Sequence, residues 1–176
     1  MTRRSFRASI AWVTGLVIVA GMLQGCSSRQ DARAYFVPGY VPDGLILREA
    51  RLDKTASGPD EDIEHFSTSR FGDPDGREMV IQSVKFRSAD HGPLYRAVPG
   101  SERTIGRRSV SEVEALRGCD VILRWDETQT VEAMVSVCGI DENEFEQVVA
   151  RLEVTDFAGW KRYADRNNLA IARSSG

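Results

Sequence analysis

Apolar positions recur every second residue through the middle of the chain and every third or fourth residue near its C-terminal end. Residues 65–71 and 78–87 flank Gly72-Asp73-Pro74-Asp75-Gly76, a stretch dense in turn formers, and predict a β-hairpin. In the second arm Val80, Gln82, Val84 and Phe86 share one face while Met79 and Ile81 take the other. Both faces are partly apolar, so this arm reads as a central strand. Residues 119–125 and 131–138 predict a second hairpin around Asp126-Glu127-Thr128-Gln129-Thr130. An earlier strand is expected over 45–52, after turns imposed by Pro38, Gly39, Pro42, Asp43 and Gly44. Residues 104–114 carry two signals: Val110, Val113 and Leu116 keep helical spacing, while the β-branched content favours a strand, the expected form.

The helical period is clearest after residue 140. Asp141 is placed to cap a helix with Glu144 at its third position, and Phe145, Val148, Val149 and Leu152 fall at i, i+3, i+4 and i+7. Asp156 caps a shorter candidate helix that would bury Phe157, Trp160 and Tyr163, and the tail over 167–176 is expected to fray. Strands first and helices last predict an α+β fold, an antiparallel β-sheet packed by C-terminal helices. Residues 53–62 read as a surface loop. Residues 88–102, with Gly92-Pro93 and Pro99-Gly100 but no period, form a loop long enough to suggest a function.

The N-terminal segment changes the picture. Arg3, Arg4 and Arg7 precede an uncharged, mostly apolar stretch over 10–23, shorter than the ~20 residues of a spanning helix, which reads as a signal-peptide core. It ends in Leu23-Gln24-Gly25-Cys26, which resembles the lipobox of bacterial lipoproteins, with Gln24 where a small residue is more usual. The resemblance implies lipidation of Cys26, cleavage after Gly25 and a stable membrane anchor on the extracytoplasmic face. An ordinary secretory signal and an uncleaved membrane helix are the alternatives. The expected organisation is a signal peptide over 1–25, the lipidated Cys and a short tether over 26–34, a single domain over 35–166, and the tail. Eight residues over 27–34 span at most ~27 Å, which holds the domain close to the bilayer.

Composition narrows the function further. The 176 residues are 41% hydrophobic and 28% charged with a net charge of −3, which fits one globular domain. Removal of 1–25 takes away three arginines and no acid, so the mature charge is −6, the wrong sign for a nucleic-acid binder. His65 and His91 are the only histidines and lack ligand spacing; the acids Asp60, Glu61, Asp62 and Glu64 lack the order of a calcium loop. No metal and no cofactor are therefore expected. Neither a Gly-x-Ser-x-Gly elbow nor a phosphate-cradling glycine loop is present, and no catalytic residue is assigned.

An oxidising compartment makes Cys119 and Cys138 a candidate disulfide. Direct pairing of the two would set Trp125 opposite Glu132. A shift by one residue pairs Trp125 with Val131, puts Arg124 beside Glu132 and sends the thiols to opposite faces; a bulge near the turn would reconcile the two. The block from Gly106 through Leu123-Arg124-Trp125 to Gly139-Ile140-Asp141-Glu142-Asn143-Glu144-Phe145 looks like small extracytoplasmic modules of unassigned function, found in envelope lipoproteins and exported parts of sigma-factor regulators. That resemblance carries no catalytic residues.

The expected function is a non-enzymatic, membrane-anchored envelope lipoprotein that binds a membrane-proximal protein partner or senses envelope state. Leu94 and Tyr95, between the prolines of the long loop, are the candidate partner contacts. Tyr35, Phe36 and Tyr40 form a second aromatic group, and the plainer reading of both groups is that they cover the sheet and close its edge. The alternative is a carrier that holds an acyl chain on the concave face of its sheet.

Overall fold

A computed structural model describes residues 33–54, 62–114 and 121–175. The signal segment, Cys26 and Cys119 lie outside the described residues. Among the described residues, ten strands and two helices follow in chain order: β1 Tyr35–Pro38, β2 Ile46–Lys54, β3 Ile63–Gly72, β4 Glu78–Phe86, β5 Arg103–Ile105, β6 Arg108–Glu112, β7 Val121–Thr128, β8 Val131–Cys138, α1 Glu142–Ala150, β9 Leu152–Thr155, α2 Phe157–Arg166 and β10 Ala172–Ser175. Eight strands form one sheet in the order β10-β2-β3-β4-β8-β7-β6-β5, while β1 and β9 pair separately. The fold is α+β. The sheet is mixed rather than purely antiparallel, because β10 joins β2 in parallel.

The expected hairpins form where turn chemistry is strongest. Asp73 Oδ1 accepts the N–H groups of Asp75 and Arg77, both at 2.9 Å, and closes the β3–β4 turn. β4 is central, between β3 and β8. The ambiguous stretch near 104–114 resolves as the β5–β6 hairpin, with Gly106 at φ +61° in its turn. Asp141 Oδ1 caps α1 through the N–H groups of Asn143 (2.9 Å) and Glu144 (3.0 Å), and Asp156 caps α2 through Gly159 N–H at 2.7 Å.

Three expectations are corrected. The tail does not fray throughout: Ala172–Ser175 pairs with residues 51–54 and covers the β2 edge. Tyr35–Pro38, where no strand is expected ahead of the turns, is a strand. The β7–β8 register is neither of those anticipated: Trp125 pairs with Ala133 and Leu123 with Val135, and a bulge falls between Asp126 and Thr128.

Alternation along the strands divides the sheet into two faces. On one, Phe71, Met79, Leu123 and Val135 share an apolar cluster with Phe145, Val148 and Val149 around α1 and Trp160 and Ala164 of α2. Phe36 joins the same cluster, and Tyr35 stacks on Trp160 at 5.3 Å between ring centroids. Trp160 Nε1 donates to Ser69 Oγ at 2.9 Å. A buried arginine ties the far side together. Arg108, 4% exposed, donates to Glu127 Oε2 (2.8 Å), Val149 O (2.8 Å) and Leu152 O (2.9 Å). It thereby satisfies one carbonyl in the last turn of α1 and one at the start of β9. Its guanidinium also lies 5.2 Å from the centroid of Trp125, whose Nε1 donates to Glu127 at 2.8 Å.

Candidate functional site

The opposite face of the sheet carries two smaller apolar clusters, and the loop over 87–101 runs across both. Leaving β4, it is fixed first at His91, whose ring stacks on Phe86 at 3.5 Å and whose Nε2 meets Gln129 O at 3.0 Å. Leu94 packs on Ile63, Val84 and Phe86; Tyr95 packs on Val113, Ile122 and Met134. The loop ends in a bridge between Ala97 and Val113, with Val98 N–H donating to Glu112 O at 2.8 Å. Leu94 and Tyr95 are thus half-buried pegs rather than a free apolar patch. Exposed backbone and polar residues such as Arg87, Asp90 and Arg96 form the outward side of the loop.

A carboxylate sits beneath it. Glu132 is 1% exposed on the central strand β8 and points to the loop face. Its Oε2 accepts Leu94 N–H at 3.1 Å and lies 3.7 Å from Arg124 Nη2. Its Oε1, like Arg124 Nε, is buried with no hydrogen-bond partner. Burial pushes the Glu132 carboxyl above the usual range, and the Arg124 charge and the Leu94 N–H only partly oppose that rise. Arg124 spans loop and sheet, donating to Tyr95 O at 3.4 Å and to Asp126 Oδ1 at 3.1 Å. A cleft of about 620 Å³ opens beside this group, lined by His91, Arg124, Asp126, Thr128 and Gln129 with Ala89 and Pro93.

This arrangement suits fastening and recognition better than proton transfer. A general base must come within hydrogen-bond reach of its substrate, and the unpaired Glu132 oxygen is shut off from solvent. The cleft offers a cation and a carboxylate side by side, a cradle for polar groups of another molecule. Among the described residues no cluster of three His, Cys, Asp or Glu side chains could hold a metal ion.

The chain matches no protein-family model and no curated protein.

The remaining sequence candidates are dispersed. Cys138 ends β8, half-buried and opposite Glu78, while Cys119 lies outside the described residues, as do Asp60 and Glu61. His65 is not near His91: it stacks on Tyr35 at 5.1 Å on the face that carries α2. Tyr35 and Phe36 are core residues, not an exposed group. No described helix is long and apolar enough to cross a membrane.

The buried carboxylate of Glu132 leaves a signal in the sequence. Val131-Glu132-Ala133-Met134-Val135 places one charge inside an otherwise apolar strand core. A buried charge of that kind needs partners from elsewhere in the fold. Its proximity to Arg124 followed from a one-residue register shift, but the two meet diagonally, since Arg124 pairs directly with Met134.

Proposed function

We propose that this chain is a non-enzymatic lipoprotein of the cell envelope, anchored through Cys26. Its sheet, covered on one face by α1 and α2, presents the loop over 87–101 to a membrane-proximal protein partner. The observation that carries this reading is where the fold begins. Ala34, eight residues after Cys26, is 1% exposed and its carbonyl accepts a hydrogen bond from Ser83 Oγ, so the chain is already fixed to the sheet at that residue. The seven residues between them reach at most ~25 Å. A domain so tethered meets only partners in or beside the bilayer.

The loop supports the second half of the reading. It is held down by Leu94, Tyr95 and His91 and bears a polar cleft at its base, so its outward surface is fixed in shape before any partner arrives. A carrier of acyl chains draws no support from this cleft, whose lining includes Arg124 and Asp126.

The test has two parts. Metabolic labelling with a fatty acid should mark the wild-type protein and spare Cys26→Ser; label retained in that variant refutes the anchor. A photo-crosslinking residue at Arg96 should then capture one membrane-proximal protein in cells, while the same residue at the exposed Arg162 of α2 should not. Equal capture from both positions refutes the loop as the contact.

A further inference from the structure

A second cleft of about 620 Å³ opens where the chain enters the fold, lined by Arg33, Arg107 and Arg151, with Glu153 the acid among its lining residues. Three guanidiniums against one carboxylate leave a local charge of +2 in a protein whose mature charge is −6. Backbone geometry builds the walls. A Cβ at Gly106 would come within 3.3 Å of Ala150 Cα, so the β5–β6 turn packs directly on the end of α1 and brings Arg107 to Arg151. Gly39 donates its N–H to Arg151 O at 2.9 Å, and a Cβ there would lie only 2.7 Å from that oxygen.

The arginines are lightly held. Arg107 is 69% exposed along its side chain and meets Glu127 at 3.3 Å, but that carboxylate is already bound by Arg108 and Trp125. Arg151 lies over the Tyr40 ring at 5.5 Å, a contact that orients the guanidinium without neutralising it. Arg33 is exposed on the last stretch before β1. Converging guanidinium forks are suited to bind phosphate oxygens in pairs.

Arg33 is also the seventh residue after Cys26. Resting on the proposed lipid anchor, we infer that this cleft binds the phosphates of anionic phospholipid headgroups in the leaflet that holds Cys26. The acidic remainder of the domain is repelled by such a surface, so the cleft decides which side faces the bilayer. The anchor supplies proximity, and the arginines supply orientation.

The test uses the full lipidated chain reconstituted in vesicles of phosphatidylcholine, in the same vesicles with inorganic phosphate added, or in vesicles containing phosphatidylglycerol. Each sample is floated through a density gradient, then treated with phenylglyoxal, and arginine modification is read by mass spectrometry. Modification of Arg33, Arg107 and Arg151 should be about fivefold slower with phosphatidylglycerol than with phosphatidylcholine, with Arg96 unchanged. Equal rates in protein that floats overturn the headgroup site while leaving the anchor standing. Slowing by inorganic phosphate without slowing by phosphatidylglycerol overturns it as well, and makes the ligand a soluble anion. Protein that does not float refutes the anchor, and the headgroup site falls with it.

Discussion

Replacement of Arg108 by methionine should destabilise the domain by about 3–5 kcal/mol. Methionine keeps most of the apolar stem, so the loss isolates the guanidinium, which also lies over the Trp125 ring. Three hydrogen bonds disappear, to Glu127, Val149 O and Leu152 O. Glu127 keeps Trp125 Nε1 and Arg107 as donors, so it is not stranded. The two carbonyls lose their side-chain donor in a buried setting, at about 1–3 kcal/mol each. The sum, about 2–6 kcal/mol, brackets the range of about 3–5 kcal/mol for breaking a buried ion pair from one side. Against a usual domain stability of about 5–15 kcal/mol, that is a large fraction. Urea unfolding monitored by fluorescence of the buried Trp125 and Trp160 reads the change directly. Arg108→Lys should recover only part of it, because one ammonium cannot span the carboxylate and both carbonyls. A loss below about 1 kcal/mol in Arg108→Met, with an unchanged denaturant slope, would refute the view that this side chain joins the β5–β6 hairpin to the end of α1.

Titration gives two opposite slopes. Glu132 has its carboxyl raised by burial, so the folded state holds its proton more tightly than the unfolded chain and stability falls as pH rises above about 4.5. Glu132→Gln retains an acceptor for Leu94 N–H and should flatten that limb in melts taken across pH; an unchanged profile would clear Glu132 of the effect. Burial lowers His65, so the folded state favours the neutral ring and stability falls as pH drops below about 6.5. His65→Phe preserves the stack on Tyr35 and should remove that acid limb, measurable in the same melts. Replacing Leu94 and Tyr95 together by serine should cost about 2–4 kcal/mol, because both side chains leave half-buried positions on the sheet. Faster hydrogen exchange at Val98 N–H should accompany it, and a stability within 0.5 kcal/mol of wild type, on the order of a neutral surface change, would return the pair to an exposed patch.

Legibility in the sequence tracked how local the determining contacts are. The β3–β4 hairpin and both helices were readable because Asp73, Asp141 and Asp156 act within a few residues of themselves. The strands β1, β9 and β10 were not. Each has four residues, too few for a period to register, and their partners lie far away, Tyr35 on Thr155 and Ala172 on Arg51. The β7–β8 register escaped for another reason. Seven of the eight β8 residues are buried, so both faces carry burial and alternation no longer chooses among shifts. Leu94 and Tyr95 stand out in the sequence as apolar residues within a loop, but composition cannot distinguish an apolar residue that faces a partner from one that faces its own sheet. Arg107 and Arg108 look equivalent in sequence. Arg107 sits in the β5–β6 turn and faces solvent, while Arg108 opens β6 and points into the interior.

The manner in which the chain enters the domain also sets how the fold carries load. Any pull along residues 27–33 arrives at Ala34 and then at β1, a strand of four residues paired only with β9. So short a ladder, drawn from its first residue, would peel one hydrogen bond after another if backbone pairing were its sole fastening. Instead Tyr35 is wedged among His65, Phe157 and Trp160, and Phe36 stands edge-on against Trp125. Drawing out β1 therefore requires extracting two aromatic rings from the interior before the ladder can unzip. A pull on the N-terminal side of β1 is thereby spread across the sheet and α2, and the strand behaves as a rivet rather than a zipper.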